Sequence, residues 1–145
     1  MAKNNIKSIC ITSTDMELLV GLLDFARPTN EIDLANLERL EEELYQANIV
    51  EPKDIPLNVV TINSKVWLRE IDSDHEITFI LVFPLEANLS EHKISILSPI
   101  GSAVIGRQTG GIIKWKSPGG IKRAKIRKML CQFEIQGNFD SSLYA

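Results

Sequence analysis

The stretch that most constrains this chain is Leu97 to Gly120, LSPIGSAVIGRQTGGIIKWKSPGG, because four local signals follow one another there in a fixed order. Ser98 before Pro99 predicts a helix N-cap with proline at the first helical position, where its missing N–H removes a donor that would have no intrahelical partner anyway. Ile100, Ala103, Val104 and Ile105 supply an apolar face, and Gly106 is placed to end the helix with positive φ after barely two turns. A turn at Gln108-Thr109-Gly110-Gly111 leads into the strand-like run Ile112 to Lys116, and Ser117-Pro118-Gly119-Gly120 returns the chain into another strand. The predicted unit is short helix, strand, turn, strand.

Around this unit the chain divides into a helical and an extended part. Thr14-Asp15-Met16-Glu17 matches a capping box, and Met16, Leu19, Leu22 or Leu23, and Ala26 continue a helical stripe until Pro28 and Asn30 break it. A second helix is predicted from Glu31 to Asp33 through Leu34, Leu37, Leu40 and Leu44 to about Ala47. Two such helices joined by a short Pro-containing connection pack as an antiparallel hairpin on the order of 20 Å long. Pro52 and Pro56 mark a linker over 52–57, after which the pattern becomes extended. Val59 to Ile62 with Lys65 to Arg69 is predicted as a first extended segment. Ile77 to Phe83, apolar on both faces, is predicted as a central strand. Lys93 to Leu97 leads into the short helix, Ile121 to Ile135 supplies the last strand, and 136–145 forms a loose tail. The expected fold class is α+β: a short N-terminal antiparallel helical hairpin over 1–51, then an antiparallel sheet with one short helix over 58–135.

Charge is segregated along this plan. Residues 15–50 carry nine acidic and two basic side chains, a balance of −7, whereas 97–135 carry eight basic and one acidic, a balance of +7. Such a dipole either orients the protein on a charged partner or represents two solvated faces. With 145 residues, 44% apolar and 24% charged, the chain suits one core of ordinary size. No run approaches the roughly 18 apolar residues of a membrane span, and the N-terminus lacks a signal-peptide pattern, so a cytoplasmic protein without membrane contact is expected. Cys10 and Cys131 share no metal or disulfide spacing and suit reduced, buried thiols.

The pattern SPIGSAVIGRQTGG…SPGG resembles the C-terminal signature of the Gre transcript-cleavage factors. It resembles still more closely their relatives of the regulator of nucleoside diphosphate kinase type, which carry a shortened helical hairpin. The likeness runs from about Thr14 to Phe133 and includes VVTINSKVWLRE. It departs at Gly111, where the family usually has Asp. The resemblance implies an FKBP-like sheet domain that docks on RNA polymerase at the rim of its secondary channel, with the hairpin pointing inward. It implies docking through Ser98, Pro99, Ile100, Ala103, Ile105, Gly106 and Arg107. Arg107 is the most discriminating of these, and Arg107→Glu is expected to weaken polymerase binding while leaving thermal stability nearly unchanged.

In Gre factors acidic residues at the hairpin tip help to hold a catalytic Mg²⁺. The corresponding tip here offers Arg27, Glu31 and Asp33. The two carboxylates equally suit a helix N-terminus, where anions complement the dipole. A hairpin this short stops well before the polymerase active site, so a monomeric, non-enzymatic regulator with no cofactor, competing with longer Gre-type factors, is expected. His75 and His92 are isolated, and no nucleophile elbow, P-loop or dinucleotide motif is present. The FKBP likeness raises prolyl isomerisation, but Trp67, Phe79, Phe83, Trp115 and Phe133 lie mostly at strand positions where core packing is their ordinary role. Two alternatives stay open: a Gre-like cleavage stimulator using the tip carboxylates, and a nucleic-acid binder using Lys114, Trp115 and Lys116 on the basic strands.

Overall fold

The computed structural model describes residues 8–26 and 34–130. The predicted tip residues Arg27, Glu31 and Asp33 lie outside them, as do Cys131, Phe133 and the tail. The N-terminal part opens with a strand that local patterning did not predict: β1 (Cys10–Thr12) pairs in parallel with β2 (Asn48–Val50) and brackets α1 (Ser13–Phe25) and α2 (Leu34–Tyr45). Because β1 keeps Thr12 extended, Thr12 rather than Thr14 caps α1. Its Oγ1 accepts a hydrogen bond from Asp15 N at 3.0 Å, and Thr14 lies inside the helix. Met16 and Val20 share a depression with Leu44 and Tyr45, so the start of α1 lies beside the end of α2 and the two are antiparallel. Leu37, Leu40 and Leu44 are buried on one stripe of α2, the spacing of an amphipathic helix.

The second part is a five-stranded sheet in the order β5-β4-β3-β7-β6, formed by β3 (Lys65–Glu70), β4 (Glu76–Val82), β5 (Lys93–Ser95), β6 (Ile112–Ser117) and β7 (Gly120–Leu130). Three differences from the expected plan have local causes. Val59 to Ile62 is not strand. Val60 N donates to Arg107 O at 2.9 Å, and Asn63 at φ 74° makes a turn before β3 starts. The sheet is mixed rather than wholly antiparallel, because two 3₁₀ turns, Pro84–Glu86 and Leu89–Glu91, carry the chain back so that β5 runs parallel to β4. The middle strand is β3, flanked by β4 and β7; β4 is internal, one place from the edge.

Alternation along β3 buries Val66, Leu68 and Glu70 and turns Lys65, Trp67 and Arg69 to the other side. The inner face packs under α3 (Pro99–Val104) and the hairpin. Leu19, Leu40 and Leu44 share one core with Val66, Phe79, Val104 and Ile126. Opposite the Trp67–Leu68 step the register shifts, with Trp67 paired to Lys128 and Leu68 to Ile126, so Arg127 is the extra residue of a β-bulge. With Ile126 and Met129 both buried, the bulge leaves Arg127 and Lys128 together on the solvent side. Among the described residues no helix is long and apolar enough to cross a membrane.

Candidate functional site

The signature stretch forms as its capping chemistry dictates. Ser98 Oγ accepts from Gly101 N at 3.1 Å and donates to Ser95 O at 2.8 Å, and Pro99 occupies the first turn. Gly101 has to be glycine because a Cβ there would run into the Ser95 carbonyl. Gly106 is required twice over: its φ is 76°, and a Cβ would stand 2.6 Å from Ile9 Cβ. That close approach allows Cys10 N to donate to Gly106 O at 3.1 Å while Gly106 N donates to Val60 O at 2.9 Å.

The small residues of α3 make room for a polar clamp from α2. Ser102 is fully buried, and its Oγ accepts from Arg39 Nη2 at 2.8 Å and lies 2.9 Å from Asn36 Oδ1. Asn36 Nδ2 donates to Leu97 O at 3.0 Å. Arg39 Nη1 pairs with Glu43 Oε2 at 3.3 Å, and Arg107 Nη2 reaches the same oxygen at 2.8 Å. Thus α2 holds both the entry and the exit of α3. This network was missed from the sequence, although Asn36, Arg39 and Glu43 are spaced three and four apart, a polar stripe beside the leucine stripe.

The seven residues assigned to docking by resemblance do not form one exposed patch. Ala103, Ile105 and Gly106 are buried and shape the element from within. Ser98, Pro99 and Ile100 are half-buried at one end of α3, and Arg107 is half-buried at the other. Pro99 borders a groove of about 340 Å³ whose walls include Asn36, Arg39 and Trp115. Arg107 borders a second depression of about 740 Å³ with Cys10, Pro56 and Gln108. Since Arg107 pairs with Glu43, the expectation that reversing its charge leaves stability unchanged is corrected: the guanidinium also fastens the hairpin.

Electrostatics divide the molecule further. Asp15 is half-buried, and burial pushes its carboxyl above the usual range despite the hydrogen bond it accepts from Ile62 N at 3.4 Å. Glu70 goes the other way, held below the usual range first by the hydroxyl of Ser73, which donates at 2.9 Å, and then by Lys122 at 3.4 Å. Lys114, Trp115 and Lys116 alternate along β6, Trp115 half-buried and the two lysines exposed, although all three border the α2 groove at this sheet edge. The aromatic on the basic side of the sheet is instead Trp67, for which core packing was expected. Phe79 is buried, and Phe83 is half-buried against the core. His75 and His92 are exposed, Cys10 is half-buried, and among the described residues no three His, Cys, Asp or Glu side chains are grouped to hold a metal.

This geometry can be set beside known proteins. The family described as "Transcription elongation factor, GreA/GreB, C-term" matches residues 51–129, and one described as "Rnk N-terminus" matches 7–50. Transcription elongation factor GreA of Clostridium acetobutylicum is 37% identical over 90 residues, covering 62% of this chain and 57% of that protein. Its counterpart in Clostridium novyi is 40% identical over 88 residues, covering 61% and 55%. The chain therefore spans about half the length of the curated relatives it matches. A solved structure, the prokaryotic transcription elongation factor GreA/GreB from Nitrosomonas europaea, is 38% identical with a TM-score of 0.72, covering 86% of this chain and 99% of that one. With its signature helix, its sheet and its N-terminal hairpin all matched, the chain belongs to the GreA/GreB family of transcription elongation factors.

Proposed function

We propose that this protein is a non-enzymatic regulator that docks its sheet domain at the rim of the RNA polymerase secondary channel and competes there with longer Gre-type factors. The observation that carries the reading is a family docking element joined to a short hairpin. The GreA/GreB match spans 51–129 and contains α3, while α1 and α2 have 13 and 12 residues, about 20 and 18 Å at ~1.5 Å per residue. A hairpin of that length blocks the entrance without delivering a carboxylate to the active site. Docking involves the rim of α3, with Ser98, Pro99 and Ile100 at one end and Arg107 at the other. Ala103, Ile105 and Gly106 hold the helix in shape beneath that rim.

The test is a titration of core RNA polymerase with the purified protein, a Gre factor being added as competitor, alongside a stalled elongation complex supplied with Mg²⁺. Displaceable binding without RNA shortening is the expected result. Binding accompanied by Mg²⁺-dependent shortening that is lost in Glu31→Ala or Asp33→Ala would replace the competition reading with cleavage stimulation. Absence of binding at low salt would remove polymerase docking altogether.

A further inference from the structure

The outer face of the sheet, on the side away from α3 and the hairpin, has no role in the docking reading. Alternation and the β-bulge collect Lys65 and Arg69 of β3, Arg123, Lys125, Arg127 and Lys128 of β7, and Lys114 and Lys116 of β6 on this side. Two of these cations are neutralised: Arg69 pairs with Glu76 at 3.2 Å and Arg123 with Asp72 at 3.1 Å. Among the described residues Lys114, Lys116, Lys125, Arg127 and Lys128 have no carboxylate within ion-pair distance. In the middle stands Trp67, half-buried, with Lys65 Nζ 5.1 Å and Lys128 Nζ 5.0 Å from its ring centre.

From this juxtaposition we infer that the outer sheet face binds single-stranded RNA, one base lying on the Trp67 indole and the sugar-phosphate chain running over the lysines and arginines of β7. Three chemical features select a single-stranded nucleic acid. The excess of unpaired cations calls for a polyanion. The lone aromatic of this face carries the Lys65 and Lys128 ammonium groups over its ring; when these flexible side chains swing out to phosphates, the indole becomes a stacking platform of the kind that RNA-binding sheets use. The width also fits: β3, β7 and β6 span about 10 Å at ~4.8 Å per strand, and Arg123 to Lys128 covers about 16 Å at ~3.3 Å per residue, room for a few unpaired nucleotides. The inference goes beyond polymerase docking and does not depend on it, since the isolated protein suffices for the test.

The experiment is fluorescence anisotropy of a labelled oligo(U) 8-mer with the full-length protein. If four phosphates are engaged, affinity should fall about 50-fold between 50 and 200 mM salt, following the single-strand slope of about −0.7 per contact. The Lys125→Glu/Lys128→Glu double variant should lose at least tenfold. Trp67→Leu should lose about tenfold at unchanged salt slope, with Trp67→Phe restoring most of it, because stacking is worth about 1–3 kcal/mol per base. Lys53→Glu, a charge reversal of an exposed residue on the linker, should match the unmodified protein. No binding at 50 mM salt would overturn the inference, as would indifference to Trp67→Leu, an equal loss in Lys53→Glu, or tighter binding of a duplex or of oligo(dT). If charge reversal on this face weakened polymerase binding while oligo(U) remained unbound, the ligand would be a protein and the RNA assignment would fall.

Discussion

The two faces of the five-stranded sheet have opposite characters. On the inner face the side chains of Val66, Leu68, Phe79, Ala124 and Ile126 are buried, and above them α2 and α3 are locked together through Ser102, Arg39 and Glu43. On the outer face exposed lysines and arginines surround one half-buried indole, with Ile112 and Ile121 also open to solvent. A sheet built mainly of antiparallel pairs, as this one is apart from β4–β5, needs only one covered side. Stability in this molecule is therefore concentrated on one face, leaving the residues of the other free to be chosen for what they meet.

The strongest way to break that contrast is to attack the covered side. Leu40 is fully buried in the shared core, and Leu40→Ala should cost about 2–5 kcal/mol, read as a lowered denaturant midpoint. A change confined to hairpin fraying would show instead that the hairpin is not part of the cooperative unit. Next comes Arg107→Glu. The side chains of Arg107 and Glu43 are 27% and 22% exposed, between a surface pair and a buried one, and placing two carboxylates together should cost about 1–3 kcal/mol. The exchange Arg107→Glu/Glu43→Arg should recover part of that loss. If polymerase binding stays weak in the exchanged protein, Arg107 contributes to docking in its own right.

A smaller effect is expected at Asp15. Because burial raises its pKa in the folded state, folding binds its proton more tightly than the unfolded chain does. Its ionised form thus subtracts stability above the folded pKa, and that loss disappears as pH falls below the unfolded value. Asp15→Asn keeps an oxygen for Ile62 N and removes the charge, so the variant should gain on the parent at pH 7 and lose that advantage by about pH 3. An advantage that grows toward acid would refute the desolvation account. The smallest effect belongs to the uncovered face: Lys125→Glu should move stability by no more than about 0.5 kcal/mol. A larger loss would mean that the face is covered.

What could be foreseen from the residues follows the range of the forces involved. Ser98, Pro99 and Gly106 announce α3 because capping and positive φ are decided within a few residues. The Leu37, Leu40 and Leu44 stripe announces α2 for the same reason. The parallel β1–β2 pairing rests on two three-residue strands, too short for any periodicity, and it moved the cap from Thr14 to Thr12. The Arg107–Glu43 pair joins positions 64 residues apart, so nothing near Arg107 in the sequence announces its partner. Trp67 is the instructive case. Its parity with Lys65 and Arg69 along KVWLRE already set it opposite Val66 and Leu68, but hydrophobicity suggested the core. Lys114-Trp115-Lys116 misled in the converse way, because adjacency in a strand means opposite faces.

The backbone of Gly106 bears on the order in which the chain assembles. Its carbonyl accepts from Cys10 N and its N–H donates to Val60 O, so three stretches far apart in sequence converge on one residue. Joining Cys10 to Gly106 closes a loop that contains every described element except β6 and β7, whereas the β6–β7 hairpin closes across two residues. Loop-closure entropy favours the hairpin as an early event and leaves the N-terminal strand to dock after the rate-limiting barrier. Weakening β1, for instance by Ile11→Ala, should consequently hasten unfolding while leaving the refolding rate almost untouched. The strand β1 then acts as the latch that sets how long the native molecule persists, rather than how fast it forms.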